Sequence, residues 1–285
     1  IGFIGVGVMG KPMVRNLMKK GFPVSIYTRT KSKVLDVIDE GAVWCDDVKT
    51  CVQDKDVIIT IVGYPKDVEE VYFGENGIIA NAKPGAVLID MTTTSPKLSE
   101  RIYAEAKTRG ISALDAPVSG GDSGAKAGTL SIMVGGDREA FDACQDVFAA
   151  MGTNIIYEGG AGKGQHTKMA NQIALAGAVA SVSEAIAYAR RTGLDVETML
   201  ASISKGAAGS WQMTNNAPKM VAGDMAPGFF IKHFIKDMAI ADEEAKAAGL
   251  TMPVLEEVLA MYRELDNRGE GDLGTQAVIH YFDEK

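Results

Sequence analysis

Three glycines constrain this chain more than any other feature. Gly5, Gly7 and Gly10 stand at G-x-G-x-x-G spacing between an apolar run, "IGFIG", and an amphipathic stretch, "KPMVRNLMKKG". Each glycine answers a separate physical demand: a tight turn, close approach of backbone to a pyrophosphate, and close packing of a helix on a strand. A helix that starts there turns free N–H groups and the positive end of its dipole toward the phosphates. A flexible turn would explain one glycine, but not three at this spacing in this place. The loop residues Gly5, Gly7, Val8, Met9 and Gly10 are therefore expected to hold a dinucleotide.

The rest of the first half agrees with that start. Short β-rich runs ("PVSIYT", "DVIITIV", "VLIDMT", "ISALDAP", "TLSIMVGG") alternate with helical stretches such as "KSKVLDVIDEG" and "LSERIYAEAKTRG". Strands this apolar are buried on both faces, and the helices between them supply right-handed crossovers of a parallel sheet. After about Gly160 the strand signals stop and helical periodicity takes over, with Gly193 as a helix stop and Asp195 as a helix N-cap. The expected fold is α/β: a Rossmann-type doubly wound parallel sheet over residues 1–160, then an all-helical domain over 161–285 for substrate binding and oligomerisation. A length of 285 residues suits two domains.

Composition narrows the function. The net charge of -8 argues against a nucleic-acid binder, which needs a basic face. Three cysteines, Cys45, Cys51 and Cys144, lack metal-ligand spacing, so no metal site is expected and a reduced, cytoplasmic setting is. The sequence opens directly on a strand-like run, without a charged-then-apolar stretch, so no signal peptide is expected. The most apolar stretch, "IALAGAVASVSEAIAYA", is broken by Ser181, Ser183 and Glu184 and reads as a buried helix, with no membrane association expected.

The exit of the second strand bears on which dinucleotide is bound. NAD enzymes commonly place an acid there to take the ribose hydroxyls. Here Thr28, Arg29 and Thr30 occupy the position, with Lys31 and Lys33 close behind, and Arg29 offers a planar fork suited to a ribose phosphate. This predicts preference for NADPH, with NAD also possible. At the reacting end, His166, His233 and His280 show no paired metal spacing and no G-x-S-x-G elbow is present. Lys168 and Asn171, i and i+3 on a helix, share a face with Gln172. A lysine in a partly dry cleft can serve as acid or base; lone helix lysines are more often solvated, and these residues alone leave both readings open.

Five ordered motifs carry a resemblance: "FIGVGVMGKPMVRNL", "DMTTTSP", "DAPVSGGDSGAKAGTLSIMVGG", "GKGQHTKMANQ" and "GFFIKHFIKDMAIA". Together they resemble the β-hydroxyacid dehydrogenase family, which includes 3-hydroxyisobutyrate dehydrogenases, tartronate semialdehyde reductases and glyoxylate/succinic semialdehyde reductases. The resemblance runs from Phe3 to about Ala241. It implies an oxidoreductase that interconverts a short hydroxyacid and its semialdehyde, with Lys168 as acid/base and Asn171 orienting lysine or substrate. It further implies that Ser119, Gly120 and Gly121 bind the substrate carboxylate, a role that suits a hydroxyl beside successive N–H groups in a turn. Gln172 stands where some relatives carry a second Asn. Thr93 matches a residue beside the nicotinamide, Lys236 a lysine that reaches the cofactor, and Trp211 and Phe230 are expected at the substrate pocket. The partners implied are a small carboxylate-bearing substrate and a second or further copies of the chain, as homodimer or homotetramer. Two alternatives stay open: a decarboxylating enzyme like 6-phosphogluconate dehydrogenase, and a non-catalytic dinucleotide-binding module.

Overall fold

A computed structural model describes residues 1–283. It divides into two compact units, Ile1–Lys168 and Met169 onward.

The first unit is built on a nine-stranded sheet. Its strands are β1 (Gly2–Ile4), β2 (Ser25–Tyr27), β3 (Val43–Trp44), β4 (Val57–Thr60), β5 (Val87–Asp90), β6 (Ser112–Asp115), β7 (Val118–Ser119), β8 (Leu130–Gly136) and β9 (Gly152–Gly159). The order β3-β2-β1-β4-β5-β6 is parallel throughout and reverses between β1 and β4. The doubly wound sheet expected from the alternation is present. Its strands are apolar on both faces because each face has its own core. Phe3, Ile59, Ile89 and Leu114 lie in one cross-strand row and pack with Met13, Leu17 and Val134. Ile58, Leu88 and Ala113 form the alternate row and pack with Tyr72, Ile78 and Ile102. Burial of such side chains contributes roughly 1.5–3 kcal/mol each.

The sheet departs from the all-parallel expectation at one edge. β8 runs antiparallel to both β6 and β7, while its other edge takes β9 in parallel. The cause is local. The chain leaves β6, passes Pro117 into β7, and returns through the helix Gly121–Ala127 straight onto β7 itself. That is a hairpin-like return, and only a crossover would make the pair parallel. β3, β7 and β9 are not visible as apolar runs: two are two residues long, and β9 has only Gly152 fully buried.

The second unit is helical. The helix Lys163–Thr192 enters it, followed by Val196–Ile203, Trp211–Asn215, Ala217–Ala222, Ile231–Ala247 and Pro253–Asn267. Asp195 caps the helix that follows it, its carboxylate accepting from Thr198 N at 2.8 Å, and Gly193 takes a φ of +73°. The core joins Val179, Ile186, Phe234, Met238, Leu259 and Tyr262. By length and composition Lys163–Thr192 is also long and apolar enough to cross a membrane. The three cysteines are buried and free.

Candidate active site

The glycine loop lies at the carboxyl end of β1, where the strand order reverses, the place in such sheets where ligands bind. The helix Gly10–Lys19 begins there with Met9 at its N-cap position, no side-chain cap and no acidic residue in its first turn. Lys11 N already donates to Gly7 O at 2.9 Å and Pro12 has no N–H, so what the helix start offers an anion from outside is chiefly the positive end of its dipole. A Cβ on Gly10 would lie 2.0 Å from the Gly5 carbonyl oxygen, so glycine is obligatory for that approach. A Cβ on Gly7 would meet nothing within 4 Å, which leaves open room in front of the helix. These residues fit a dinucleotide pyrophosphate. Val8 stands on the same loop, 53% exposed.

At the exit of β2, Thr28 is half-buried and Arg29 and Thr30 are exposed. The local sequence holds no acid, but the fold supplies one. Asp67, from the helix Pro65–Phe73, places its carboxylate 3.3 Å from the Arg29 guanidinium. Asp67 is buried and also accepts from Tyr64 N at 3.0 Å, whereas the Arg29 side chain is 80% exposed. The acid missing from the strand exit in sequence is thus brought to it by a distant segment. Position 67 could have been noticed as the acidic N3 residue of a capping box behind Pro65, but nothing in the sequence aims it at Arg29.

Lys168 lies six residues into the helix Lys163–Thr192 and is only 6% exposed. Its ammonium donates to the Val118 carbonyl at 2.8 Å. This fixes the charge at the end of β7, next to Ser119, Gly120 and Gly121. Gly120 and Gly121 take φ values of +130° and +62°, open to glycine and costly for other residues. The structure therefore brings Lys168 together with the Ser-Gly-Gly turn.

The start of the Lys168 helix is pinned by residues the sequence did not single out. Asp115, at the end of β6, accepts from Gly162 N and Gln165 N, each at 2.8 Å, and so satisfies N–H groups at the helix start. Burial pushes the Asp115 carboxyl up and these bonds oppose the shift. Gln165 is fully buried; its amide donates to Thr92 O at 2.7 Å and accepts from Thr94 N at 3.0 Å. The half-buried Thr93 is thereby held between two clasped neighbours. The signal available in sequence was slight: an acid at a strand end, and a glutamine in a glycine-rich turn.

In the second unit, Asn171, Gln172, Asp237 and Lys236 form one chain of contacts. Asn171 Nδ2 donates to Gln172 Oε1 at 2.7 Å, and Gln172 Nε2 donates to Asp237 Oδ2 at 2.6 Å. Lys236 Nζ lies 2.9 Å from Asp237 Oδ1, with the lysine side chain only 12% exposed. Read without the family, Lys236 is a solvated helix lysine; the structure buries it. Nothing in the local sequence marks Asp237, the next residue, as the centre of these contacts. Phe230 is half-buried and meets His233 edge-on at 5.5 Å, and burial, then Lys236, lowers the His233 pKa. Trp211 opens its helix at 57% exposure, so it is not packed in the core.

Two family models match the chain, one on either side of residues 160–161. Residues 1–159 match the NAD binding domain of 6-phosphogluconate dehydrogenase. Residues 162–282 match the NAD-binding domain of NADP-dependent 3-hydroxyisobutyrate dehydrogenase. The chain belongs to the β-hydroxyacid dehydrogenase family. An uncharacterized oxidoreductase of Bacillus subtilis, YkwC, is 56% identical over 98% of this chain and 96% of its own. A probable mitochondrial 3-hydroxyisobutyrate dehydrogenase-like protein of Arabidopsis thaliana is 42% identical over 98% of this chain and 84% of its own. The solved 3-hydroxyisobutyrate dehydrogenase of Mycobacterium tuberculosis with L-serine is 30% identical, with a TM-score of 0.89 over 98% of this chain and 97% of that one. The enzyme is an NAD(P)-dependent dehydrogenase of small hydroxyacids.

Proposed function

We propose that the enzyme prefers NADPH and interconverts a short semialdehyde acid, or glyoxylate, with its hydroxyacid, using Lys168 as the acid/base. The observation that carries this reading is the 2.8 Å bond from Lys168 Nζ to Val118 O, which holds a buried ammonium beside the Ser119–Gly121 turn. When bound, the cofactor supplies or accepts the hydride. The protein's part is to hold the acid end of the substrate and to manage one proton. The Ser119 hydroxyl and the turn's N–H groups take the carboxylate, which orients the carbonyl. Lys168 Nζ gives its proton to the oxygen that becomes the alcohol, and in the reverse direction the neutral amine removes it. Asn171 supplies an amide for the substrate and is held through the buried Gln172 to Asp237, with which Lys236 is paired. The L-serine in the M. tuberculosis relative, a three-carbon hydroxyacid, supports a substrate of this size.

NADPH preference is supported by the exposed Arg29 fork and by the NADP-dependent description of the matched helical domain. The Asp67 carboxylate is the observation that favours NADH instead, because it already neutralises part of the Arg29 charge. Initial rates with glyoxylate, tartronate semialdehyde, succinic semialdehyde and methylmalonate semialdehyde, each with NADPH and with NADH, test both parts. One acid reduced fastest with NADPH is the expected result. No turnover with any of the four, in either direction, would remove the reading.

A further inference from the structure

Thr60, Asp90 and Asp115 lie side by side on β4, β5 and β6, one cross-strand row at the carboxyl ends of the strands. Two carboxylates thus face the same side from neighbouring strands, and both are almost wholly buried, Asp90 at 2% exposure. Like charges placed opposite each other repel, and desolvation adds to the cost. The two are not equally provided for. Asp115 has both oxygens bonded to backbone N–H groups. Asp90 has one: Oδ1 accepts from Thr60 Oγ1 at 2.8 Å and from Thr92 N at 3.1 Å. Its Oδ2 is buried without a partner, and so is the hydroxyl of Ser99. Both residues line one cavity of about 10 Å³, with Ile102, Tyr103, Ala113, Leu114 and Asp115, which has room for a single water.

We propose that this cavity is a proton-binding site, in which a proton taken up at Asp90 Oδ2 is donated through one water to Ser99 Oγ and removes the repulsion with Asp115. The titratable groups facing Asp90 are Asp115 on β6, Tyr72 from the helix Pro65–Phe73 and Tyr103 from the helix Pro96–Lys107. Tyr72 reaches it only through Thr60, and Tyr103 turns its hydroxyl to Asp137 at 2.7 Å. None of these supplies a positive charge. Burial lifts the Asp90 carboxyl to about 6, in agreement with the geometry. Because Oδ1 holds Thr92 N, Asp90 is a positioning residue for the segment that Gln165 clasps from the other side. Protonation state is thereby coupled to how firmly residues 92–94 are held.

The test is a titration of the whole enzyme labelled with [4-13C]aspartate, following the carboxyl resonance that disappears in Asp90→Asn. A midpoint near 6 is expected. A midpoint at the ordinary value of about 4 or lower would overturn the proposal. Ser99→Ala removes the acceptor of the protonated form and is expected to lower the midpoint by roughly 0.5–1 pH unit, the worth of one neutral hydrogen bond. An unchanged midpoint would show that Ser99 does not share the proton. Should Asp90→Asn fail to fold, the Ser99→Ala displacement itself identifies the resonance. None of these readings depends on the reaction assigned above.

Discussion

Gly164→Ala puts the seating of the Lys168 helix under direct strain. A Cβ at this position would stand 2.4 Å from the Met133 carbonyl oxygen, 2.5 Å from that of Asp115 and 2.9 Å from Asp115 Oδ2. The first two are backbone atoms of β8 and β6, and neither can rotate away. Ordinary contact begins near 3.4 Å, so the first turn of the helix must retreat by about 1 Å. That retreat stretches the two 2.8 Å bonds by which Asp115 holds Gly162 N and Gln165 N. Overpacking of this kind costs roughly 1–3 kcal/mol. For a protein of this size that lowers the melting temperature by roughly 3–10 °C. Lys168 stands about one turn further along, and a misplacement of about 1 Å at a reacting group costs on the order of 10²-fold in rate. Differential scanning fluorimetry and initial rates on the same preparation read both effects. A variant that melts within about 1 °C of the parent and turns over at more than half its rate would refute the reasoning, because the helix start would then not be fixed by these contacts.

Further outcomes follow from the same geometry. Lys168→Ala is expected to lower turnover by roughly 10²–10⁴-fold while cofactor fluorescence titration stays close to the parent value; loss of cofactor binding in parallel would remove Lys168 from the chemistry. Arg29→Asp places a second carboxylate beside Asp67 and is expected to raise KM for NADPH far more than for NADH. An unchanged ratio of the two would mean that Arg29 does not meet the ribose phosphate. For Asp90 the sign follows from a folded-state pKa, about 6, that is higher than the ordinary 3.8. The folded protein then holds the proton more tightly, so this group's contribution is fully present below about pH 4 and is lost as pH rises through 6. Asp90→Asn should therefore gain on the parent across that window, by at most roughly 3 kcal/mol. Urea unfolding at pH 4 and pH 7 measures the difference, and a gain that is the same at both values would contradict it.

The legible and illegible parts of this protein divide by how far apart the interacting residues are. The glycine loop, the β1 to β6 alternation and the caps at Asp195 and Gly193 are local patterns, and the sequence carries them openly. Lys168 was visible as a candidate because its neighbours Asn171 and Gln172 lie within one turn. Its bond to Val118, its helix's anchor on Asp115 and the Asp67 partner of Arg29 join residues 50, 50 and 38 positions apart. Periodicity carries no information about such pairings. The reversed direction of β8 was hidden for a related reason: it depends on β7, a two-residue strand too short to leave a pattern.

Arg29 leaves β2 and Asp67 follows β4, so the guanidinium and the carboxylate that partners it are encoded in different strand–helix units. On the NADPH reading proposed above, cofactor choice is a two-part inheritance. A recombinant that takes its second strand from an NADPH-using relative and its fourth from an NADH-using one would receive half of the instruction.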